Sequence, residues 1–216
     1  MQGAFCLGGY VMNELSHRFI TKKSIEIAGI KLRAEQKHKL IESSTLPDID
    51  EKDNLFAAHF YNPVTQLNFR SERETALTRF IEHYDKSKNG ENLEEIGRAV
   101  HYLEDLNTPV HVAYEDKFDS VYRLSGHIEF ENTCDSLIDE VKDIVFEIDK
   151  KYYIVNPLET IGKAGAMTAS VLYDEYENCY EQHIPEVGRK ALLNAIKATA
   201  GILYRVFGGA ANVQSK

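Results

Sequence analysis

Two pairs of metal-ligating residues are spaced four positions apart in this sequence. His101 and Asp105 form one pair in IGRAVHYLEDLNTPVH, and His127 and Glu131 form the other in GHIEFENTCD. Residues four apart in a helix project from the same face, so the two side chains of each pair could bind one cation together. Imidazole with carboxylate is a usual ligand mixture for zinc. The spacing predicts two metal-binding positions on adjacent helices, with His111 in the loop between them.

Three candidate ligands lie upstream of these pairs. His17 occurs in ELSHRFI at the start of the first predicted helix, Asp48 occurs in TLPDID, and His59 occurs in FAAHFYNP. Asp48 and His59 fall in irregular chain, where a ligand can be aimed without helical constraints. A bundle interior is where facing helices build metal sites.

Each motif taken alone is weak evidence for a metal site. One HxxxD or HxxxE pair can be a helix-stabilising contact. Glu14 with His17 and Glu35 with His38 form two ExxH pairs, which are typical of di-iron bundles but leave the other histidines unexplained. The sequence contains no HExxH, GxSxG or P-loop motif. His83 lacks a partner at a useful spacing, and we expect no metal there.

The elements that must position these residues are mostly helical. A three-to-four-residue apolar step predicts a helix capped by Asn92 that ends at Thr108-Pro109, and another through Leu137 and Val145. The last helix begins near Pro185 and stops at Gly208-Gly209. Further helices are predicted over 13–29, 33–43, 67–84 and 158–181, with irregular stretches near 44–64 and 107–126. This pattern predicts an all-α, single-domain multi-helix bundle over residues 1–216, with a metal cluster in a cleft.

Composition sets limits on partners and location. The chain has 216 residues and a formal net charge of −9, which disfavours nucleic acid as a partner because phosphate binding needs a basic surface. The most apolar stretch, 191–207, carries Lys197 and Arg205, so no transmembrane segment is predicted. The first twelve residues contain no clear signal peptide. Three widely spaced cysteines imply no disulfide framework.

The combined motifs HYLEDLNTPVH, GHIEFEN, PDID and AHFYNP resemble the bacterial zinc-dependent phospholipase C family, which is related to the fungal single-strand zinc nucleases. The resemblance runs from about His17 through the last helix. The nucleases place aspartate at the end of the second histidine motif, whereas Glu131 here is the phospholipase-like choice. The resemblance implies a secreted protein, and we expect no C-terminal membrane-binding domain.

The resemblance also implies a cluster of two to three zinc ions. One would be held by four side chains, Asp48, His59, His101 and Asp105. A second would be held by His111, His127 and Glu131, and a third by His17 with the bridging Asp105. The family's third zinc also takes the backbone of an N-terminal tryptophan. This chain contains no tryptophan, and Phe5 stands near that place.

Hydrolysis of a phosphodiester by a metal-activated water is the activity that the resemblance implies. The expected substrate is a phospholipid, cleaved to diacylglycerol and a phosphorylated headgroup during transient contact with a membrane surface. Asp48 would be a ligand first and a general base second. Phe56 matches the headgroup-pocket phenylalanine of the family, whereas Ile49 replaces the aromatic residue of choline-preferring members. The alternatives are a zinc-dependent nuclease or nucleotide phosphatase, and a non-catalytic relative that binds metal or lipid.

Overall fold

A computed structural model describes residues 14–51, 56–112, 121–148, 151–178 and 184–208. Every regular element in these ranges is a helix, so the predicted all-α class is confirmed. Short 3-10 turns at Ala57–His59 and Pro109–His111 and a π turn at Tyr204–Gly208 supplement the α-helices. In chain order the α-helices are α1 (Glu14–Ile27), α2 (Ala34–Ser43), α3 (Leu46–Asp50), α4 (Ala76–Lys86), α5 (Leu93–Asp105), α6 (Val121–Ser136), α7 (Ile138–Val141), α8 (Lys151–Ile154), α9 (Glu159–Asn178) and α10 (Ile184–Leu203).

Helix α5 lies at the centre of the bundle. The Asn92 side chain accepts a hydrogen bond from the backbone N–H of Glu94, which confirms the predicted N-cap. Apolar residues such as Ile96, Val100 and Leu103 are fully buried in the main core. Helices α1, α2, α4 and α10 all pack against α5. Polar side chains on this helix are therefore enclosed by protein on several sides.

Close packing of α2 against α5 depends on a glycine. A Cβ atom at Gly97 would lie 2.4 Å from the Cβ and 2.8 Å from the backbone carbonyl carbon of Ser43. Only a residue without a side chain allows the two backbones to approach this closely. This approach brings the end of α2, and the short α3 that follows it, beside the central helix.

A second apolar cluster lies on the other side of the bundle. Phe130 of α6 and Leu137 pack with Leu192 and Ile196 of α10. Helix α1 also packs along α10, and α9 packs on it from another side. These contacts fix α6 and α1 relative to the centre of the molecule. None of the described helices is long and apolar enough to cross a membrane.

Two predicted helices differ from the structure. The helix predicted over 67–84 begins only at Ala76, because the Asn68 side chain accepts hydrogen bonds from two following backbone N–H groups and closes a turn. Thr75 then caps α4. The helix predicted through Leu137 and Val145 stops at Val141, and Val145 is exposed. The predicted irregular stretch 44–64 contains α3 and a 3-10 turn.

Candidate metal centre

All eight predicted ligands lie together at one place in the bundle. Seven of the eight side chains are buried and the eighth, His127, is half-buried. They form three groups whose candidate ligand atoms lie within 4.8 Å of one another: His17 with His101 and Asp105, Asp48 with His59 and His101, and His111 with His127 and Glu131. Five separate helices or turns contribute to them besides α5, which supplies His101 and Asp105.

Asp105 lies between the groups and faces them with different oxygens. Its Oδ2 lies 3.0 Å from His59 Nδ1 and 3.4 Å from His101 Nε2. Its Oδ1 lies 3.7 Å from His17 Nε2 and 3.9 Å from His111 Nε2. A carboxylate whose two oxygens point to two sets of imidazoles can bridge two cations.

Asp48 and two imidazoles form the second of these groups. Asp48 Oδ1 lies 3.6 Å from both His59 Nδ1 and His101 Nε2, and these two nitrogens are 3.1 Å apart. Asp48 reaches the site because Pro47 opens the five-residue helix α3 directly after α2. His59 reaches it from a 3-10 turn that follows Phe56, whose φ of 61° reverses the chain in the left-handed region.

The third group joins a turn to a long helix. Glu131 Oε1 lies 2.5 Å from His127 Nε2 and 3.3 Å from His111 Nε2. His127 and Glu131 are one turn apart on α6, as their spacing predicted, although they lie inside the helix rather than at its start. Pro109 opens the 3-10 turn that carries His111.

Backbone carbonyls fix the tautomers of two of these histidines. His101 Nδ1 donates to the Ser44 carbonyl at 2.8 Å, and His111 Nδ1 donates to the His59 carbonyl at 3.1 Å. A carbonyl only accepts, so both Nδ1 atoms carry the proton. The Nε2 lone pairs are therefore left facing the carboxylates of the cluster, which is the arrangement that orients imidazoles for a metal.

Several buried polar atoms of the cluster have no hydrogen-bonding partner in the described part of the chain. These atoms are His17 Nε2, His59 Nε2, both carboxylate oxygens of Asp48 and Asp105 Oδ1. Buried polar groups are normally paired, and an unpaired one costs on the order of 1–3 kcal/mol. Nitrogen and oxygen donors that converge without partners fit zinc, which takes both. The residues present therefore fit the metal that the resemblance implies.

The acidic groups of the cluster differ in their pKa values. Burial favours a raised pKa for Asp105, but the neighbouring imidazoles, beginning with His111, outweigh it and hold its pKa well below the usual range. His127 and His111 likewise outweigh burial and lower the pKa of Glu131 to about 2. For Asp48 burial dominates and raises the pKa to about 7. Asp48 is the acid whose charge most needs a cation.

The pKa values of the histidines also depend on burial and on neighbouring charges. Burial favours a lowered pKa for His17, but Glu104 outweighs it and raises the pKa to about 10. Asp105 similarly raises the pKa of His59 above its ordinary value. Burial and the charge of His17 lower the pKa of His101 well below its ordinary value. Histidine binds metal in its neutral form, so metal binding displaces protons from His17 and His59.

The two residues expected to contact substrate lie at the edge of the cluster. The half-buried ring of Phe56 meets the His59 ring edge-on at 5.7 Å. Ile49 follows Asp48 in α3 and is 46% exposed. Phe60, which the sequence analysis did not select, stacks on the His111 ring at 5.0 Å and lies 5.6 Å from the ring of His127.

Sequence reasoning also missed two buried polar contacts. Glu104 Oε2 lies 2.6 Å from His17 Nδ1. The only sign of this contact in the sequence was a glutamate next to Asp105, on a helix with few exposed positions. His83 was expected to lack partners, but its Nδ1 lies 2.7 Å from Glu95 Oε2 and its Nε2 lies 3.2 Å from Glu51 Oε2. Glu104 and Glu95 lie on α5 and Glu51 follows α3, so spacing along the chain could not reveal these contacts.

Comparisons with known proteins identify the family of this chain. A sequence model of the family described as zinc dependent phospholipase C matches residues 16–185. A phospholipase C of Clostridium perfringens is 26% identical over 205 residues, covering 82% of this chain and 50% of the relative. A phospholipase C of Paraclostridium bifermentans is 32% identical over 133 residues, covering 53% of this chain and 31% of the relative.

A solved structure supports the fold. The alpha toxin from Clostridium absonum superposes with a TM-score of 0.76 at 23% identity, covering 93% of this chain and 65% of the toxin chain. The present chain spans about half the length of the first curated relatives it matches. The family model covers most of residues 1–216, and the motifs that suggested the family lie inside the matched range. The chain therefore belongs to the zinc-dependent phospholipase C family.

Proposed function

We propose that this chain is a zinc-dependent phosphoric diester hydrolase that cleaves phospholipids as a phospholipase C. The observation that carries the proposal is that three adjacent groups of ligand-type side chains lie inside the bundle, with Asp105 close to an imidazole of each group. We infer that His17, His59, His101, His111, His127, Asp48, Asp105 and Glu131 hold two to three zinc ions. Bound zinc would polarise the phosphoryl oxygens as a Lewis acid and lower the pKa of a water to near 7.

The charge of the loaded site suits an anionic diester. Three divalent ions would bring +6 against the ionised carboxylates of Asp48, Glu104, Asp105 and Glu131, which leaves about +2. The chain as a whole carries −9, but nearby charges decide what binds at a metal site. A phosphodiester carries a single negative charge and would be attracted to this site.

Asp105, Asp48 and Phe56 would have different roles in the reaction. Asp105 would bind two ions at once, since its two oxygens face different imidazoles. Asp48 would act as a ligand first and as a general base second, because a carboxylate bound to a cation is a poor base. Phe56 would present an apolar ring beside the site.

Headgroup preference would depend on the residues at the edge. An aromatic face attracts a quaternary ammonium, and Phe56 supplies one such ring next to His59. The exposed Ile49 supplies an aliphatic side chain where choline-preferring members carry an aromatic one. We therefore expect activity on phospholipids with weaker selection for choline over ethanolamine.

A direct test compares substrates on the zinc-loaded protein. Phosphatidylcholine vesicles, phosphatidylethanolamine vesicles and single-stranded DNA would be assayed in parallel, with His38→Gln as a matched control because His38 is exposed and outside the cluster. We expect the protein to release diacylglycerol and a chelator to abolish that release. His59→Gln should lower kcat at least 100-fold, and His38→Gln should leave it unchanged. Cleavage of DNA alone would assign the nuclease activity instead. Full metal loading without any hydrolysis would assign a non-catalytic, metal-binding role.

A further inference from the structure

Glu104 is a fully buried carboxylate that lies beside the metal centre but outside the set of eight ligands. Its Oε2 lies 2.6 Å from His17 Nδ1. Its Oε1 accepts a hydrogen bond from the Thr21 hydroxyl at 3.0 Å and one from the Thr199 hydroxyl at 3.4 Å. Both oxygens of Glu104 are thus engaged, and its exposed fraction is 0%.

The contacts of Glu104 join three helices. Glu104 belongs to α5, His17 and Thr21 lie one turn apart on α1, and Thr199 belongs to α10. Enclosing a carboxylate in protein is costly unless the charge is balanced and hydrogen-bonded. Two hydroxyls and one imidazole hold this carboxylate in one orientation, with Oε2 aimed at a single ring nitrogen. Such an arrangement points to a function for that imidazole.

The contact determines which nitrogen of His17 is free. An ionised carboxylate only accepts hydrogen bonds, so Nδ1 carries the proton. The opposite nitrogen, Nε2, faces Asp105 Oδ1 at 3.7 Å and has no hydrogen-bonding partner in the described residues. A carboxylate behind one nitrogen of an imidazole, with the other nitrogen open to a cation once its proton is displaced, is the arrangement that orients histidine ligands and strengthens their basicity.

We propose that Glu104 is a positioning residue of the metal centre, which holds His17 for the ion shared with Asp105 and controls how tightly that ion binds. The ring of His17 also stacks on His101 at a centroid distance of 4.1 Å, so a tilt of His17 would disturb a second candidate ligand. The inference rests on the proposed function only in requiring that the cluster binds metal. It assigns Glu104 no contact with substrate.

Metal binding tests this inference without any assay of hydrolysis. Glu104→Gln keeps the size of the side chain but removes its charge. Glu95→Gln is the matched control, because Glu95 lies on the same helix and its 2.7 Å contact is with Nδ1 of His83, which is not one of the eight candidate ligands. Zinc per chain would be measured by mass spectrometry after dialysis against graded chelator, with the absorption of the cobalt-substituted protein as a second readout.

We expect Glu104→Gln to weaken one ion per chain by about 10–100-fold, which is the usual effect of removing such a partner. The other ions, and every ion of Glu95→Gln, should bind as in the wild type. The cobalt spectrum of Glu104→Gln should lose the contribution of one site. Unchanged affinity and spectrum in a folded Glu104→Gln protein would overturn the inference, as would an equal loss in Glu95→Gln.

A second variant covers the case in which Glu104→Gln does not fold. Thr21→Val removes the 3.0 Å hydrogen bond to Oε1 and leaves the carboxylate in place. We expect a smaller loss of affinity at the same ion, and a folded Thr21→Val protein with wild-type affinity would overturn the inference. A wild-type protein that binds no zinc would overturn the proposed function and this inference together. A loaded wild type with insensitive variants would overturn only the inference.

Discussion

At the scale of single residues, the two carboxylates Asp105 and Glu131 have unequal positions in the cluster. Asp105 directs Oδ2 to His59 and His101 and Oδ1 to His17 and His111. Glu131 directs one oxygen, Oε1, to His111 and His127 within a single group. Loss of the carboxylate at Asp105 therefore affects more of the site than loss of the carboxylate at Glu131.

We expect Asp105→Asn to lose more zinc than Glu131→Gln. An amide has one oxygen instead of two anionic ones, so the substituted side chain could no longer serve two ions, whereas Glu131→Gln weakens one. Zinc per chain, measured after dialysis at fixed free zinc, should fall by about two in the first variant and about one in the second. Glu94→Gln, a half-exposed carboxylate on the same helix as Asp105, should retain the full content. Equal zinc content in the two cluster variants would refute the bridging role.

The sequence revealed those candidate ligands that share a helix and only some of the surrounding residues. His101 with Asp105, and His127 with Glu131, follow from helical periodicity, because the fourth residue always returns to the same face. His17, Asp48 and His59 were candidates by residue type alone, and it was the resemblance to known motifs that assigned them to one cluster with these pairs. Glu104 and Phe60 were missed, since their contacts depend on how helices and turns pack rather than on spacing along the chain.

At the scale of secondary structure, the short helix α3 needs external support. Five residues are too few for a stable isolated helix. Arg98 of α5 supplies that support by donating to both oxygens of Asp50 at 2.7 and 2.6 Å and to Glu51 Oε1 at 2.5 Å. Asp48 lies on this helix, so the contacts of Arg98 also fix a candidate ligand. Sequence periodicity could not locate α3, because a single turn contains no repeat.

His83 links α4 to the end of α3 and to α5, and we expect its contribution to stability to depend on pH. Burial favours a lowered pKa, but Glu51 and Glu95 outweigh it and raise the pKa above 6.5. Arg79, Arg98 and Tyr102 are the other charged or titratable groups at this contact, since each meets Glu51. A raised pKa in the folded state means that stability is full below pH 6.5 and is lost as pH rises through the raised value.

His83→Gln should therefore destabilise the protein more at pH 6.5 than at pH 9. Hydrogen bonds to charged groups contribute about 1.5–3 kcal/mol, so we expect a loss of that order at the lower pH and a smaller one at the higher. Urea unfolding of both proteins with zinc present measures the difference. His38→Gln should show no such trend, because His38 is 77% exposed. A loss that does not change between the two pH values would show that His83 is neutral in the folded protein.

At the scale of the whole molecule, the metal centre joins parts of the chain that are far apart in sequence. Its residues come from α1, α3, α5 and α6 and from two 3-10 turns, between positions 17 and 131. The all-α class was predictable from apolar periodicity. The way in which the helices surround the centre was not, because it depends on long-range approaches such as Gly97 against Ser43.

Removal of metal should therefore destabilise the whole molecule and not only the candidate metal centre. Without a cation, the buried carboxylates of Asp48 and Asp105 lie close together with oxygens that have no hydrogen-bonding partner in the described chain. An ion present at about 1,000 times its Kd contributes about 4 kcal/mol, and each kcal/mol shifts the Tm of a protein of this size by about 2–4 °C. Calorimetry with excess chelator should then give a Tm about 8–16 °C lower. Added zinc should restore it and magnesium should not, since imidazole ligands suit zinc. An unchanged Tm after verified loss of zinc would contradict a structural role for the cluster.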